Sequence, residues 1–239
     1  EDRMGLSAIK RLLERQNMSL RTVNLLEQTL IPSDVKAVVL AGPTHRLTEH
    51  EVAALQTYLD QGGRLLALID PLTDTALEPL LERWGVRLGN DIVVDPAQQL
   101  PFVSAANLFA TTYTEHPIVG KMKTLMTLFP LTRSVQPVDP TPEGFKVTRL
   151  VMTSEHGWGE TQTGVETFEF NEGQDARGPV VIATASERVA DPAGAPASNG
   201  RLVVVGDSEF LVDGQLENVG NQDFFLGMIY WLIEQEQLI

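Results

Sequence analysis

The chain has 239 residues, 43% of them hydrophobic, with 18 Lys and Arg against 32 Asp and Glu and a formal net charge of -14. This apolar fraction is typical of globular proteins and excludes a disordered or collagen-like chain. The charge disfavours nucleic acid as a partner, because a phosphate backbone is bound by clustered Lys and Arg. It disfavours attachment to anionic lipid for the same reason.

Cysteine is absent, which excludes thiol catalysis, disulfide bonds and cysteine-type zinc sites. No stretch approaches the roughly 20 apolar residues that span a bilayer. The longest uncharged run, residues 96–114, is rich in Gln, Ser, Thr and Asn. The chain also lacks the glycine-rich phosphate loops of nucleotide-binding proteins. We therefore expect no nucleotide cofactor.

The chain opens with a predicted helix followed by two predicted strands. Apolar residues recur at helical spacing over residues 6–15, and they alternate with polar residues over 19–25. Residues 35–42 form an almost continuous apolar run that ends in glycine. Such a run is typical of a strand buried on both faces of a parallel sheet.

The next segment predicts a complete strand-helix-strand unit. Thr48 and Glu51 have the spacing of a capping box, in which each side chain accepts from the other residue's backbone amide. One apolar stripe follows, formed by Val52, Leu55 and Leu59. Gly62 supplies a left-handed helix stop, and residues 64–70 form a second buried strand. Parallel neighbouring strands joined by a right-handed helical crossover are expected from this order.

The later elements are less evenly spaced. Helices are predicted over 74–84 and 221–235, and strands within 86–94 and over 148–154, 179–185 and 201–206. Residues 97–147 contain several prolines and predict an irregular insertion or small subdomain of short strands and loops. Residues 190–200 are mostly small, and predict an exposed loop. Together these elements predict one α/β domain over 1–239, a three-layer sandwich around a mainly parallel sheet.

In open parallel sheets, ligands collect at the carboxyl ends of the strands. The residues that follow the three most apolar predicted strands are His45, Asp70, Asp207, Ser208 and Glu209. Carboxylates at such ends can bind a divalent cation or a sugar hydroxyl. The favoured alternative is that the two aspartates cap turns and helices, and we expect no metal centre.

Two further groups allow alternative functions. Ser208 follows a strand as a nucleophile would, although Phe210 stands where the nucleophile elbow requires glycine. A hydrolase or transferase with a Ser-His pair is left open. His156 and Trp158 lie in the segment EHGWGE. They predict either a carbohydrate- or peptide-binding loop, or a loop anchored by a buried indole, and we favour the anchor.

Several segments carry a recognisable pattern, namely 35–43, 47–71, 84–96, 206–210 (GDSEF), 220–225 (GNQDFF) and 231–232. In these segments the chain resembles the auxiliary components of gliding-motility-type ABC transporters. Ser154 and Trp158 match a Ser-x-x-Ser-Trp segment loosely, since His156 and Gly157 depart from it. The resemblance covers about residues 8–233 and is weak over 97–147.

The resemblance implies an extracytoplasmic domain, tethered in the full protein by transmembrane helices before and after it. It implies an ABC permease and an ATP-binding subunit as partners. The implied fold is flavodoxin-like or similar to class I glutamine amidotransferases, without the nucleophilic cysteine of those enzymes. No catalytic residue is carried over. We therefore expect a non-enzymatic binding or scaffolding domain that acts through protein contacts or captured polysaccharide or peptide.

The last predicted helix has one expected cap. Asn221 precedes its apolar stripe, and Asp223 lies near its positive end. On this hypothesis, replacing Asn221 by Ala costs about 1 kcal/mol of stability.

Overall fold

The computed structural model describes residues 5–99, 103–164, 167–190 and 198–239. The α-helices in these ranges are α1 (Ser7–Arg15), α2 (Glu49–Asp60), α3 (Glu78–Arg83) and α4 (Asn221–Leu232). The strands are β1 (Val38–Ala41), β2 (Arg64–Leu68), β3 (Val86–Leu88), β4 (Ile92–Val94), β5 (Leu108–Ala110), β6 (Thr112–Tyr113), β7 (Thr127–Phe129), β8 (Val135–Pro137), β9 (Phe145–Met152), β10 (Trp158–Glu160), β11 (Ala176–Arg177), β12 (Val181–Arg188) and β13 (Arg201–Val205). Short 3-10 helices cover Pro96–Gln98, Pro117–Thr124, Glu209–Leu211 and Glu236–Leu238.

The largest sheet has the strand order β1-β2-β13-β12-β9-β6. The pairs β1/β2 and β2/β13 are parallel. The pairs β13/β12, β12/β9 and β9/β6 are antiparallel. The three parallel strands therefore lie together on one side of a mixed sheet, and their carboxyl ends share one edge.

The predicted mainly parallel, flavodoxin-like sandwich is wrong. Besides the mixed sheet, β4, β10 and β11 form an antiparallel sheet, and β3/β8 and β5/β7 form two-stranded ones. A parallel pair requires a crossover, usually a helix, to return the chain to the same end of the sheet. Among the described residues, no α-helix lies between Arg83 and Asn221. The strands from β3 to β12 consequently pair antiparallel, whereas β13 returns to pair parallel with β2.

The predicted strand-helix-strand unit is confirmed. The strands β1 and β2 are parallel neighbours joined by α2. Thr48 caps α2 through a complete capping box with Glu51. Gly62 has φ +90° and follows the helix. Local chemistry is sufficient to specify this part of the fold.

The main sheet packs a hydrophobic core on each face. One core joins α1 and α4 to the face of the sheet that carries Leu66, Leu68, Val203 and Val205. The other joins α2, α3 and Trp84 to the face that carries Leu65, Ala67, Leu202 and Val204. Alternate residues of β2 and β13 thus enter opposite cores, which explains their continuous apolar runs.

Several predicted elements differ in the structure. Residues 19–25 are not a strand, and Leu20 is 43% exposed. The strands predicted within 86–94 exist as β3 and β4, but they belong to different sheets. Over 97–147 the short strands predicted are present, and β6 joins the main sheet. Most of the loop predicted over 190–200 lies outside the described residues.

Two arginines tie the end of α4 to the main sheet. Arg201, the first residue of β13, donates hydrogen bonds to the backbone oxygen of Trp231 and, at 2.6 Å, to Oε1 of Glu236. Arg64, the first residue of β2, forms an ion pair with Glu234 at 2.9 Å. The cations thus sit where the helix dipole is negative.

These arginines belong to a charged row that crosses four strands. Arg64 lies opposite Arg201, Arg201 opposite Glu187, and Glu187 opposite Lys146. Lys146 pairs with Glu187 at 2.9 Å. Residues directly opposite on neighbouring strands share one face of the sheet, so the row is continuous from β2 through β13 and β12 to β9.

Candidate functional site

The loops after β1, β2 and β13 meet at one edge of the main sheet. We call this surface the strand-end rim, defined by residues 42–47, 70–76 and 207–209. A Cβ added to Gly42, which has φ +54°, would clash with Oγ of Ser208 and lie 3.0 Å from Oδ2 of Asp70. The backbone amide of Leu47 donates to the oxygen of Thr75 at 3.2 Å. The three loops are therefore in direct contact.

Asp70 and Ser208 are joined by two hydrogen bonds within the rim. The backbone amide of Ser208 donates to Oδ1 of Asp70 at 2.6 Å. The hydroxyl of Ser208 donates to Oδ2 of the same carboxylate at 2.8 Å. Asp70 at the end of β2 thereby holds the turn that follows β13.

Asp207 is fully buried beside this pair. Its Oδ1 accepts a hydrogen bond from the backbone amide of Glu209 at 2.6 Å, as expected of a capping aspartate. Its Oδ2 is buried and has no hydrogen-bond partner in the described part of the chain. Burial, together with the nearby Asp70 carboxylate, raises the pKa of Asp207 well above its usual value. The fold therefore favours the neutral acid at this position.

The structure brings together only some of the residues predicted to form a site. Asp70, Asp207, Ser208 and Glu209 converge on the rim, and His45 lies exposed on the rim loop after β1.

His156 and Trp158 belong to another part of the molecule, where β10 pairs with β4 and β11. His156 is exposed in the loop before β10. Trp158 is 8% exposed, donates from Nε1 to Glu160 at 3.2 Å, and meets Phe170 edge to face. These contacts fit the anchoring role of the indole and leave little ring surface for stacking on a ligand.

Sequence reasoning missed Arg133, a buried residue that stabilises the strand-end rim through hydrogen bonds to its backbone. This guanidinium is 5% exposed and donates to three main-chain oxygens: Gly89 at 2.7 Å, Asp70 at 3.3 Å and Thr73 at 3.2 Å. Burial lowers the pKa of Arg133. Because its partners are backbone oxygens, no pattern of side chains in the sequence points to this role.

The hydrogen-bonding pattern of Asp70 recurs elsewhere in the chain. We call it a carboxylate clamp: one Asp carboxylate accepts from both the backbone N–H and the side-chain O–H of one Ser or Thr. Asp91 accepts from Ser134 at 2.8 Å and 2.7 Å, and both residues are buried. Asp95 accepts from Ser154 at 2.7 Å and 2.9 Å.

A further clamp lies at the surface, where Asp175 accepts from the amide and hydroxyl of Thr161 at 3.0 Å and 2.8 Å. Hydrogen bonds to this carboxylate lower the pKa of Asp175, although burial opposes them. The clamp on the rim is thus one of four among the described residues, and the other three lie outside the rim. Each joins two segments that lie at least 14 positions apart in the chain.

No three His, Asp or Glu side chains in the described ranges are arranged to hold a metal ion. None of the helices within the same ranges has the length and apolar character that crossing a membrane requires.

Comparison with known proteins identifies the family. Residues 5–228 match a family model described as "ABC-type uncharacterized transport system". The chain belongs to this family. Membership supports a role as an auxiliary component of an ABC-type transport system.

The chain is also similar to an intraflagellar transport protein. It is 38% identical to intraflagellar transport protein 52 homolog of Mus musculus over 64 residues. The matched segment is 25% of this chain. It spans only 15% of the length of that relative. Its structure matches the mmIFT52 N-terminal domain with a TM-score of 0.68 and 19% identity, covering 96% of this chain and 91% of the other. This likeness replaces the flavodoxin-like assignment of the fold.

A weaker structural match is the exo-beta-1,4-mannosidase Op5Man5 of Opitutaceae bacterium strain TAV5. Its TM-score is 0.48 with 15% identity, and the match covers 93% of this chain but 29% of the enzyme.

Proposed function

We propose that this chain is a non-enzymatic binding and scaffolding domain of an ABC-type transport system of the gliding-motility type. It acts on the extracytoplasmic face of the membrane, where helices outside this chain hold the full protein. Its partners are the permease and ATP-binding subunits of the system, and it binds the permease through protein contacts.

The family match supports the transport role in this proposal, and the repeated carboxylate clamp supports its non-enzymatic part. A nucleophilic serine requires a neighbouring base and backbone N–H donors that point to an open position for the reacting oxygen. The amide and the hydroxyl of Ser208 are both directed at Asp70. The same geometry recurs at Ser134 and Ser154, away from the rim. Ser208 therefore fits a fastening role better than a reactive one.

Two further observations support protein contacts. The indole of Trp158 is buried and hydrogen-bonded, which argues against sugar stacking at that position. The fold is shared with the N-terminal domain of a protein named for intraflagellar transport. A related domain within another transport protein supports the proposal that this fold works as a module of transport assemblies.

Co-purification tests the binding function. The full-length protein is co-expressed with its permease and ATP-binding subunit, and the membranes are extracted in mild detergent. We expect both subunits to be retained by the tagged protein and not by an unrelated membrane-anchored domain. Loss of both subunits would contradict the proposal. Turnover of ester or glycoside substrates that disappears in Ser208→Ala would contradict its non-enzymatic part.

Labelling of an added thiol tests the location, since this chain has no cysteine. Glu27 is exposed, so Glu27→Cys provides a single accessible thiol in the domain. A membrane-impermeant maleimide should label this thiol in cells whose cytoplasmic membrane is intact. Labelling only after that membrane is permeabilised would place the domain in the cytoplasm and overturn the assignment.

A further inference from the structure

We propose that a segment of the full-length protein, on the N-terminal side of residue 1, forms one more strand of the main sheet. This strand pairs parallel with the outer edge of β1 and lies between β1 and residues 19–23. The inference goes beyond the proposed function and does not depend on it, since it concerns which chain covers this edge.

The outer edge of β1 is open within the described part of the chain. β1 is the last strand on its side of the main sheet and pairs with β2 alone. The amide of Gly42 donates to the oxygen of Leu68 on β2 at 3.0 Å. Because successive residues direct their N–H and C=O groups to opposite edges of a strand, those of Val39 and Ala41 point away from β2. They bond to no described residue.

This open edge is apolar and unprotected. Edge strands are usually short, charged, bulged or interrupted by proline, because unpaired backbone groups invite another strand. β6, at the opposite edge of the sheet, has only two residues, whereas the four residues of β1 are all apolar. Val39 is 40% exposed, although Ala37 and Ala41 on the same face pack against the core beneath α1 and α4. A further strand would bury Val39 and satisfy the open backbone groups.

The path of the chain into α1 indicates which segment supplies this strand. Asp213 lies in the connection from the end of β13 to the start of α4. Its amide donates to the oxygen of Gly5 at 2.8 Å, and its Oδ1 accepts from the amide of Ala8 at 2.6 Å. These bonds hold the start of α1 at the same edge as the strand-end rim. A strand parallel to β1 ends at that edge, so a short turn connects it to α1.

The handedness of the crossovers places the strand outside β1. The helix α2 joins β1 to β2 on one face of the sheet, whereas α1 packs on the opposite face. Crossovers between parallel strands are right-handed in nearly all proteins. A right-handed crossover through α1 must therefore move outward across the sheet, opposite to the direction from β1 to β2. The strand before α1 then lies next to β1, and the segment after α1 lies beyond it.

The segment after α1 is the one predicted to be a strand without forming one. Residues 19–23 make no backbone hydrogen bond to any residue that the structure describes. Arg21 pairs with Asp34, which keeps this segment beside the residues that lead into β1. No ladder joins the two segments directly, since β1 pairs with β2 alone in the described ranges. One inserted strand supplies both segments with the neighbour that each lacks.

Disulfide mapping in the full-length protein tests this pairing. Val39→Cys is combined, in a cysteine-free background, with single cysteines at roughly ten successive positions before residue 1, the span of a long strand. We expect mild oxidation to form disulfides at alternate positions only, because successive side chains of a strand point to opposite faces. The matched control is Val189→Cys, which is 54% exposed after the end of β12 and should form none. The absence of any disulfide within one chain, or one between two copies through position 39, would overturn the proposal.

Amide hydrogen exchange of the unmodified full-length protein gives a measurement that no substitution affects. We expect the amides of Val39 and Ala41 to exchange about as slowly as that of Leu40, which faces β2. Exchange about tenfold faster at Val39 and Ala41 than at Leu40 would show an open edge and contradict the inference. Retention of the transport subunits is expected with either result, so failure here leaves the proposed function standing. Loss of the subunits from a protein with the mapped strand would overturn only the proposed function.

Discussion

Asp70 accepts two hydrogen bonds from Ser208, at 2.6 Å from the amide and 2.8 Å from the hydroxyl, although 138 positions separate the two residues. The pair closes the edge of the main sheet where β2 and β13 end. Because both donors belong to Ser208, the carboxylate fixes the orientation of the turn after β13 as well as its distance from Asp70.

Removing the Asp70–Ser208 clamp should lower the free energy of unfolding. The effects of the two substitutions should not be additive. We expect Ser208→Ala to reduce the free energy of unfolding by about 1–2 kcal/mol, and Asp70→Asn to reduce it by more, because both hydrogen bonds involve the carboxylate. Urea unfolding of the two single variants and the double variant gives the coupling energy. The same cycle at Asp91 and Ser134 is the matched comparison, and strictly additive effects at either pair would contradict the clamp.

Asp207 should make the protein less stable as the pH rises. Its folded pKa is raised above the ordinary 3.8 by burial and by Asp70. The stabilisation linked to its bound proton is therefore full below pH 3.8 and is lost as the pH rises through the folded pKa. Asp207→Asn keeps a neutral acceptor for the amide of Glu209 and removes this dependence. Unfolding measured from acid to alkaline pH should give curves that diverge; parallel curves would show that Asp207 is ionised in the fold.

His116 should produce the opposite dependence in the acid range. Burial lowers its pKa from 6.5 to about 4, and its Nδ1 accepts from the amide of Ile118 at 3.3 Å. The unfolded chain therefore binds a proton more readily, so stability present above pH 6.5 is lost as the pH falls toward 4. The loss amounts to about 3 kcal/mol. His116→Gln should abolish it, whereas the exposed-residue control His50→Gln should not; a histidine titration by NMR near pH 6.5 for His116 would refute the burial argument.

Asn221 should contribute more to stability than a helix cap does. Its side chain accepts from the amide of Leu128 at 2.8 Å and donates to the oxygens of Phe210 and Gln215 at 3.0 Å each. Asn221→Ala leaves these buried groups unpaired, so we expect a loss of about 3 kcal/mol in chemical unfolding. The exposed Asn218→Ala is the control and should change little. A loss of only about 1 kcal/mol would agree instead with the capping role.

The strand-helix-strand unit was predictable because its signals are local. Thr48, Glu51 and Gly62 each act within a few residues of their own position. The direction of β12 was not predictable in this way. An apolar run such as residues 179–185 shows that a strand is buried, but the connection to its neighbour determines whether the pair is parallel.

The rim was predicted only in outline. Asp70 and Ser208 follow parallel neighbours, which is sufficient to bring them to the same edge of the sheet. The role predicted for Asn221 was wrong, because Gly220 is the N-cap of α4 and the asparagine side chain forms tertiary contacts instead. Arg133 was missed because its position is determined by three main-chain oxygens from two loops, and no sequence motif records such partners.

The charged row at the end of α4 has a mechanical consequence. Arg64 and Arg201 connect that end of the helix to β2 and β13, and the row continues to Glu187 and Lys146 on β12 and β9. A force applied to the C-terminal end of α4 is therefore shared among four strands rather than borne by one helix. The helix and the sheet should move together as one rigid unit, with the strand-end rim at the opposite end of the strands.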